Sequence, residues 1–212
     1  MSYQQCRVYV RDYASLPASS PLLVPVPTAP GRPQQRAHVL VARALVPMSD
    51  RVRSRFGYPL QVASGWRPHR WESETEYEDV LVSKYEAASA RALGRSPTRA
   101  EVVAYGRVYL AFSSAHETGL ALDFGCGGLS PVSATIPKQK KTELWQFLHD
   151  HASDFGFTPY FPEPWHWELR VPRTSYDSPP AASGPVAISA SSPVGNESPE
   201  HECCEDESCV SC

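Results

Sequence analysis

The ten residues Ser114-Ala115-His116-Glu117-Thr118-Gly119-Leu120-Ala121-Leu122-Asp123 constrain the fold more than any other stretch of the chain. Side chains two apart on a strand share a face. In Leu120–Asp123 that sends Leu120 and Leu122 to one side and Ala121 and Asp123 to the other. Gly119 lets the backbone turn sharply just before the strand, so His116 can fold back beside Asp123. The segment Glu163-Pro164-Trp165-His166-Trp167-Glu168 alternates in the same way. It puts His166, Glu168 and Arg170 on one face and Trp165, Trp167 and Leu169 on the other. Glu163 precedes a proline, which biases it toward extended backbone, just outside that strand.

These polar faces carry a recognisable donor set. His116, Asp123 and His166 supply two imidazoles and one carboxylate, which bind Zn²⁺ with a fourth position left for water, an arrangement typical of catalytic zinc. Zinc lowers the pKa of a bound water from about 15.7 toward ~7. Glu163 is then a candidate to take the water proton and return it to a leaving amine. Arg67, at the end of Ser64-Gly65-Trp66-Arg67, is a candidate to face a developing oxyanion. Glu168 can hydrogen-bond the outer nitrogen of a metal-bound histidine and fix its tautomer. Each residue alone has a plainer explanation: a surface histidine, a turn aspartate, a salt-bridged arginine, a glutamate in an ion pair. The joint pattern argues for the metal. Trp66, Trp165 and Trp167 read as core or pocket wall. His149 and His151 lie on a polar helical stretch and read as solvated, while His69 neighbours Arg67 and edges the same region.

The motif set resembles the zinc D-alanyl-D-alanine carboxypeptidase and dipeptidase family over residues 58–170. It rests on Ser114, His116, Gly119, Ala121 and Asp123 in register, followed by Glu163 and His166 in order. The runs at 127–136 and 155–160 are similar to that family as well. No His-Glu-x-x-His helix is present, so the thermolysin-like design is excluded. The resemblance implies a fold shared with lysostaphin-type endopeptidases and the hedgehog signalling domain. It implies one Zn²⁺ per chain, Ser114 in contact with substrate, and peptidoglycan peptides as partners. Within it, a D,D-carboxypeptidase or dipeptidase competes with an L-alanyl-D-glutamate-type endopeptidase and with a zinc-bearing module that does no catalysis. The long 68–113 segment, which could roof the cleft, favours chain ends as substrate. The presence of both Glu163 and Arg67 favours catalysis.

The 212 residues and 42% apolar content suit one domain with tails. The 21 prolines cluster at 17–33 and 159–193. Residues 1–35 therefore read as a proline-rich arm, with one short strand expected at Arg7–Val10. Residues 36–176 form the expected zinc peptidase domain. From Asp177 there are seven acidic residues and no Lys or Arg, leaving 16 acidic against 20 basic residues, a net charge of +4, in the body. The 177–212 tail of Ser, Pro, Ala and acidic residues cannot bury a core and is expected to be disordered. Its Cys203, Cys204, Cys209 and Cys212 include one Cys-x-x-Cys with no second knuckle; Cys126 reads as a small buried apolar residue.

The expected fold is α+β: a small antiparallel sheet carrying the zinc site, flanked by helices. Helices are expected over 35–55 (with Pro47 a point where it could divide in two), 72–93, 96–110 and 138–153, and strands over 60–63, 120–124 and 165–170. No stretch approaches the ~20 apolar residues of a membrane span, and no signal-peptide run is visible. The lack of both predicts cytoplasmic synthesis, while the resemblance implies action at the cell wall or periplasm; a monomer and no nucleic-acid partner are expected.

Overall fold

The computed structural model describes residues 13–125, 129 and 131–179. The Arg7–Val10 strand, Cys126 and the cysteines of the tail lie outside the described residues. The fold is α+β. Its centre is a four-stranded antiparallel sheet in the order β3 (Val62–Ser64), β4 (Ala121–Phe124), β6 (His166–Leu169), β5 (Phe157–Pro159). A two-stranded sheet pairs β1 (Leu23–Pro25) with β2 (Arg36–His38).

The helix α1 (Val39–Phe56) follows β2 directly. The His38 side chain caps it, Nδ1 accepting from the Leu40 N–H at 3.2 Å, which satisfies one of the orphan donors of the first turn. Val41, Ala42, Leu45, Met48 and Val52 form its buried stripe. That stripe continues on both sides of Pro47, and the helix runs through the proline as one element rather than dividing there. Residues 13–35 run through turns and β1, with Tyr13 and Val26 buried in the main core and Leu23 buried as well. Prolines preset the backbone φ there, and the apolar side chains between them supply the burial.

The helices α2 (Glu74–Leu93) and α3 (Arg99–Gly106) form a hairpin with an apolar cluster of its own: Trp71, Tyr77, Leu81, Tyr85, Val102 and Val103. Ser73 caps α2, its Oγ accepting from the Glu76 N–H at 3.1 Å. Thr98 and Glu101 form a reciprocal capping box on α3. Beyond β4 come a short α4 (Ile136–Gln139), α5 (Glu143–His151), which buries Leu144, Trp145 and Leu148, and, after β6, a short α6 (Arg173–Asp177).

The sheet register sets the site. Leu122 pairs with Trp167, and both are wholly buried in the core. The alternate pairs are Ala121 with Glu168 and Asp123 with His166. The face that carries Asp123 therefore also carries His166 and Glu168, while the opposite face is apolar.

Candidate metal centre

A 3₁₀ turn over Ala115–Thr118 delivers His116. Ser114 caps it, with its Oγ accepting from the His116 N–H at 3.3 Å. Gly119 ends it at φ +70, and a Cβ there would meet the His38 nitrogen at 2.8 Å. Conformation and space both demand glycine. The chain then enters β4, which presents Asp123 opposite His166.

Three donor atoms converge. His116 Nε2 lies 3.2 Å from Asp123 Oδ1 and 3.2 Å from His166 Nδ1, and His166 Nδ1 lies 3.2 Å from Asp123 Oδ1. All three residues are buried. A tetrahedral zinc with bonds of about 2.0–2.1 Å separates its ligand atoms by about 3.3–3.4 Å. The triangle matches one face of that tetrahedron, and its nitrogen and carboxylate donors are ones zinc accepts. His116, Asp123 and His166 are thus able to hold one metal ion.

The outer nitrogens set the tautomers. His116 Nδ1–H donates to the Gly65 carbonyl at 2.7 Å, leaving the Nε2 lone pair for the site. His166 Nε2–H donates to Glu168 Oε1 at 3.0 Å, leaving Nδ1. Such outer partners orient a ligand ring and raise its basicity. Glu168 Oε2 is buried and has no hydrogen-bond partner among the described residues. Gly65 can serve because its own backbone packs against Arg36; a Cβ there would lie 2.3 Å from the Arg36 carbonyl oxygen.

The pocket favours positive charge. Burial works against a charged His166, but its bonds to Asp123 and Glu168 outweigh this and push its pKa up to about 10. Burial draws His116 below its ordinary value, with Asp123 opposing. Burial also disfavours the Asp123 anion, yet the two imidazoles hold its carboxyl well below the usual carboxylate range. A site that concentrates one excess proton on its ligands exchanges that proton for a metal cation.

Glu163 sits in the tight connection between β5 and β6. Its N–H donates to the Tyr160 carbonyl at 3.0 Å, and its carbonyl accepts from the His166 N–H at 2.9 Å. Its half-buried carboxyl is raised above the ordinary value, chiefly by burial and further by Asp123; His166, Trp165 and Arg67 pull the other way. Arg67 is exposed on the segment after β3, its N–H donating to the His116 carbonyl at 3.3 Å. Its charge bears on both His116 and Glu163. All seven residues singled out in the sequence fall in this one region.

The sequence did not point to the Gly65 carbonyl, to Glu117 or to Tyr160. Glu117 is buried and holds the turn through its capping box with Ser114; the spacing Ser-x-x-Glu was its one available signal. The Tyr160 ring meets the His166 ring edge-on, with centroids 5.7 Å apart.

Fold and site together define an α+β protein with a buried His/Asp/His centre able to bind one metal. No family model matches the chain. It is 26% identical over 144 residues to a D-alanyl-D-alanine carboxypeptidase of Enterococcus faecalis (strain ATCC 700802 / V583), a match covering 63% of this chain and 48% of that one. The chain thus spans about half the length of this curated relative, which bears the name of the family the motifs resemble. Two solved structures are also similar. One is VanYB in complex with D-alanine-D-alanine, at TM-score 0.43 and 21% identity over 77% of this chain and 84% of that one. The other is a variant of the vancomycin-resistance D,D-pentapeptidase VanY in complex with Zn(II), at TM-score 0.42 and 21% identity over 77% and 86%.

Proposed function

We propose that the chain is a zinc metallopeptidase that hydrolyses D-alanyl-D-alanine-type bonds in peptidoglycan peptides. The observation that carries this reading is the 3.2 Å triangle of His116, Asp123 and His166 donor atoms with Glu163 and Arg67 beside it. The name of the curated relative supports it. When bound, zinc would supply Lewis acidity, polarising a carbonyl and making water a nucleophile near neutral pH.

The remaining work falls to the chain's own side chains and to one backbone carbonyl, that of Gly65. Gly65 and Glu168 hold the two imidazoles with their inward lone pairs on the site. Glu163, its pKa raised by burial, is suited to take a proton from water and hand it to the departing amine, because a base with a pKa nearer the working pH transfers protons better in both directions. Arg67 brings a permanent cation to the place where the peptide carbonyl becomes an oxyanion. Ser114, whose hydroxyl caps the His116 turn, is the candidate to contact substrate. The protein acts as a monomer on wall peptides after synthesis in the cytoplasm. Among the described residues no helix is long and apolar enough to cross a membrane.

The test is incubation of the zinc-loaded full chain with purified muropeptides ending in D-alanyl-D-alanine, with products identified by mass. Release of a single D-alanine is expected. Cleavage within the stem would move the protein to the endopeptidases; intact muropeptides at full zinc occupancy would remove the peptidase reading.

A further inference from the structure

Arg67 has an exposed, long side chain, and no salt bridge or hydrogen bond within the described residues reaches its guanidinium. It lies on residues 65–71, which form no helix or strand. Something other than regular structure must fix where it points. Two kinds of tie are present: the Trp66 and Arg67 backbone N–H groups donate to the Arg36 and His116 carbonyls at 2.6 and 3.3 Å, and the Trp66 indole N–H donates to the Leu16 and Glu117 carbonyls at 3.1 and 3.2 Å.

A third kind is a side-chain pair. His69 Nδ1–H donates to Glu117 Oε2 at 2.8 Å. Glu117 is only 5% exposed and is itself held from within its own region. The Ser15 hydroxyl donates to Oε2 at 2.8 Å, and the Ser114 N–H donates to Oε1 at 3.1 Å. Glu117 is thus a fixed post immediately after the ligand His116, and His69 is the half-exposed group that reaches it. Pro68, with its locked φ, is the one residue between His69 and Arg67. The ring of Phe112 stands edge-on to the His69 ring, with centroids 5.2 Å apart, and limits its outward swing.

We propose that His69 is a positioning residue: through its bond to Glu117 it holds the 66–69 segment against the His116 turn and so aims Arg67 at the reacting carbonyl. The inference rests on the peptidase reading for what Arg67 does, but the clamp itself is a property of the chain. Glu117 already has partners on its own side, so loss of His69 frees the Arg67 segment rather than the metal ligand. An oxyanion donor displaced by about 1 Å loses much of its effect.

The experiment combines kinetics with hydrogen exchange on the full-length, zinc-loaded protein. His69→Ala should retain zinc, lower kcat about tenfold and leave KM within about twofold, because the contact it aims strengthens in the transition state. His69→Asn, whose amide nitrogen can occupy the place of Nδ1, should recover most of the loss. In an Arg67→Ala background, His69→Ala should cost less than about twofold more, since the two act as one unit. Equal losses in both backgrounds, or loss of zinc from His69→Ala, would overturn the proposal. Hydrogen exchange of the Arg67 amide and Trp66 indole should accelerate in His69→Ala while that of β4 and β6 stays constant. Unchanged exchange in the 66–67 segment would equally overturn it. If the parent cleaves no muropeptide, the peptidase reading fails, and the exchange result still decides whether the clamp exists.

Discussion

Asp123 and His166 meet from positions 43 residues apart in sequence, whereas α2 and α3 meet across the short turn from Gly94 to Thr98. The sheet is closed by distant pairings, backed by Leu122 and Trp167 in a core that also receives Tyr13 and Tyr176. The hairpin is closed by local capping, six buried residues and solvent-facing ion pairs: Arg95 with Glu101, Arg99 with Asp79, and Arg107 with Glu74 and Glu78. Exposed pairs of that kind contribute little each. The difference shows what a buried polar site requires. The sheet must hold three polar side chains in a dry interior to within a few tenths of an ångström, and only a large cooperative core on its other face does that. The hairpin carries none of the proposed ligands and tolerates a looser construction.

The comparison breaks most readily at Glu163. Glu163→Gln should lower hydrolysis by about 10²–10⁴-fold while leaving zinc content and the exchange protection of both regions unchanged. Parental turnover in that variant would transfer the base elsewhere, with Glu168 next in line.

Core truncations sharpen the contrast. Leu122→Ala and Leu81→Ala should each cost about 2–5 kcal/mol locally. Only the first, beside Asp123, should also weaken zinc binding. Competition titration with a chelator distinguishes them, and equal zinc affinity in both variants would mean that the sheet core does not support the site.

The pH dependence is a third, smaller effect. Glu163 works as a base when deprotonated, and burial raises its pKa. The upward push of burial and the downward pull of a bound cation then set together where the acid limb of kcat/KM lies, with activity lost as pH falls through it. Arg67 opposes the upward push, so Arg67→Ala should carry the limb to higher pH. A limb that does not move would place Arg67 too far from Glu163 to act on it.

The smallest change belongs to the hairpin surface. Arg107→Ala should cost no more than about 1 kcal/mol, less at high salt, and leave kcat and zinc affinity as they were. A loss of activity there would tie the hairpin to the site after all.

How much of this was legible in the sequence follows the same division. The two hairpin helices were legible over 72–93 and 96–110, within a few residues of their Ser73 and Thr98 caps, because end signals are local. His116, Asp123 and His166 were legible because strand alternation and a fixed spacing dictate their faces. Three-residue strands such as β1, β2 and β5 offer too little alternation to be seen, and their pairing is a tertiary fact. Pro47 signals a break that the buried stripe of α1 overrides. The bonds that Glu117 makes to His69 and Ser15 were missed because they join residues 48 and 102 positions apart, which no local pattern encodes. In α6 five residues are too few for periodicity, yet they bury Tyr176.

Tyr176 also bears on the order in which the molecule can be made. Its hydroxyl donates to the Ala14 and Thr118 carbonyls at 2.9 and 3.1 Å, its ring stacks on His38, and its own carbonyl accepts from His38 Nε2 at 3.1 Å. One late residue thus stitches an early segment to the turn that carries His116. A chain emerging from the ribosome has all three proposed metal ligands outside the exit tunnel before that stitch can form. The α2–α3 hairpin, being local, can assemble early in synthesis, whereas the sheet needs strands from residue 62 to residue 169 and the Tyr176 bonds can follow only after those.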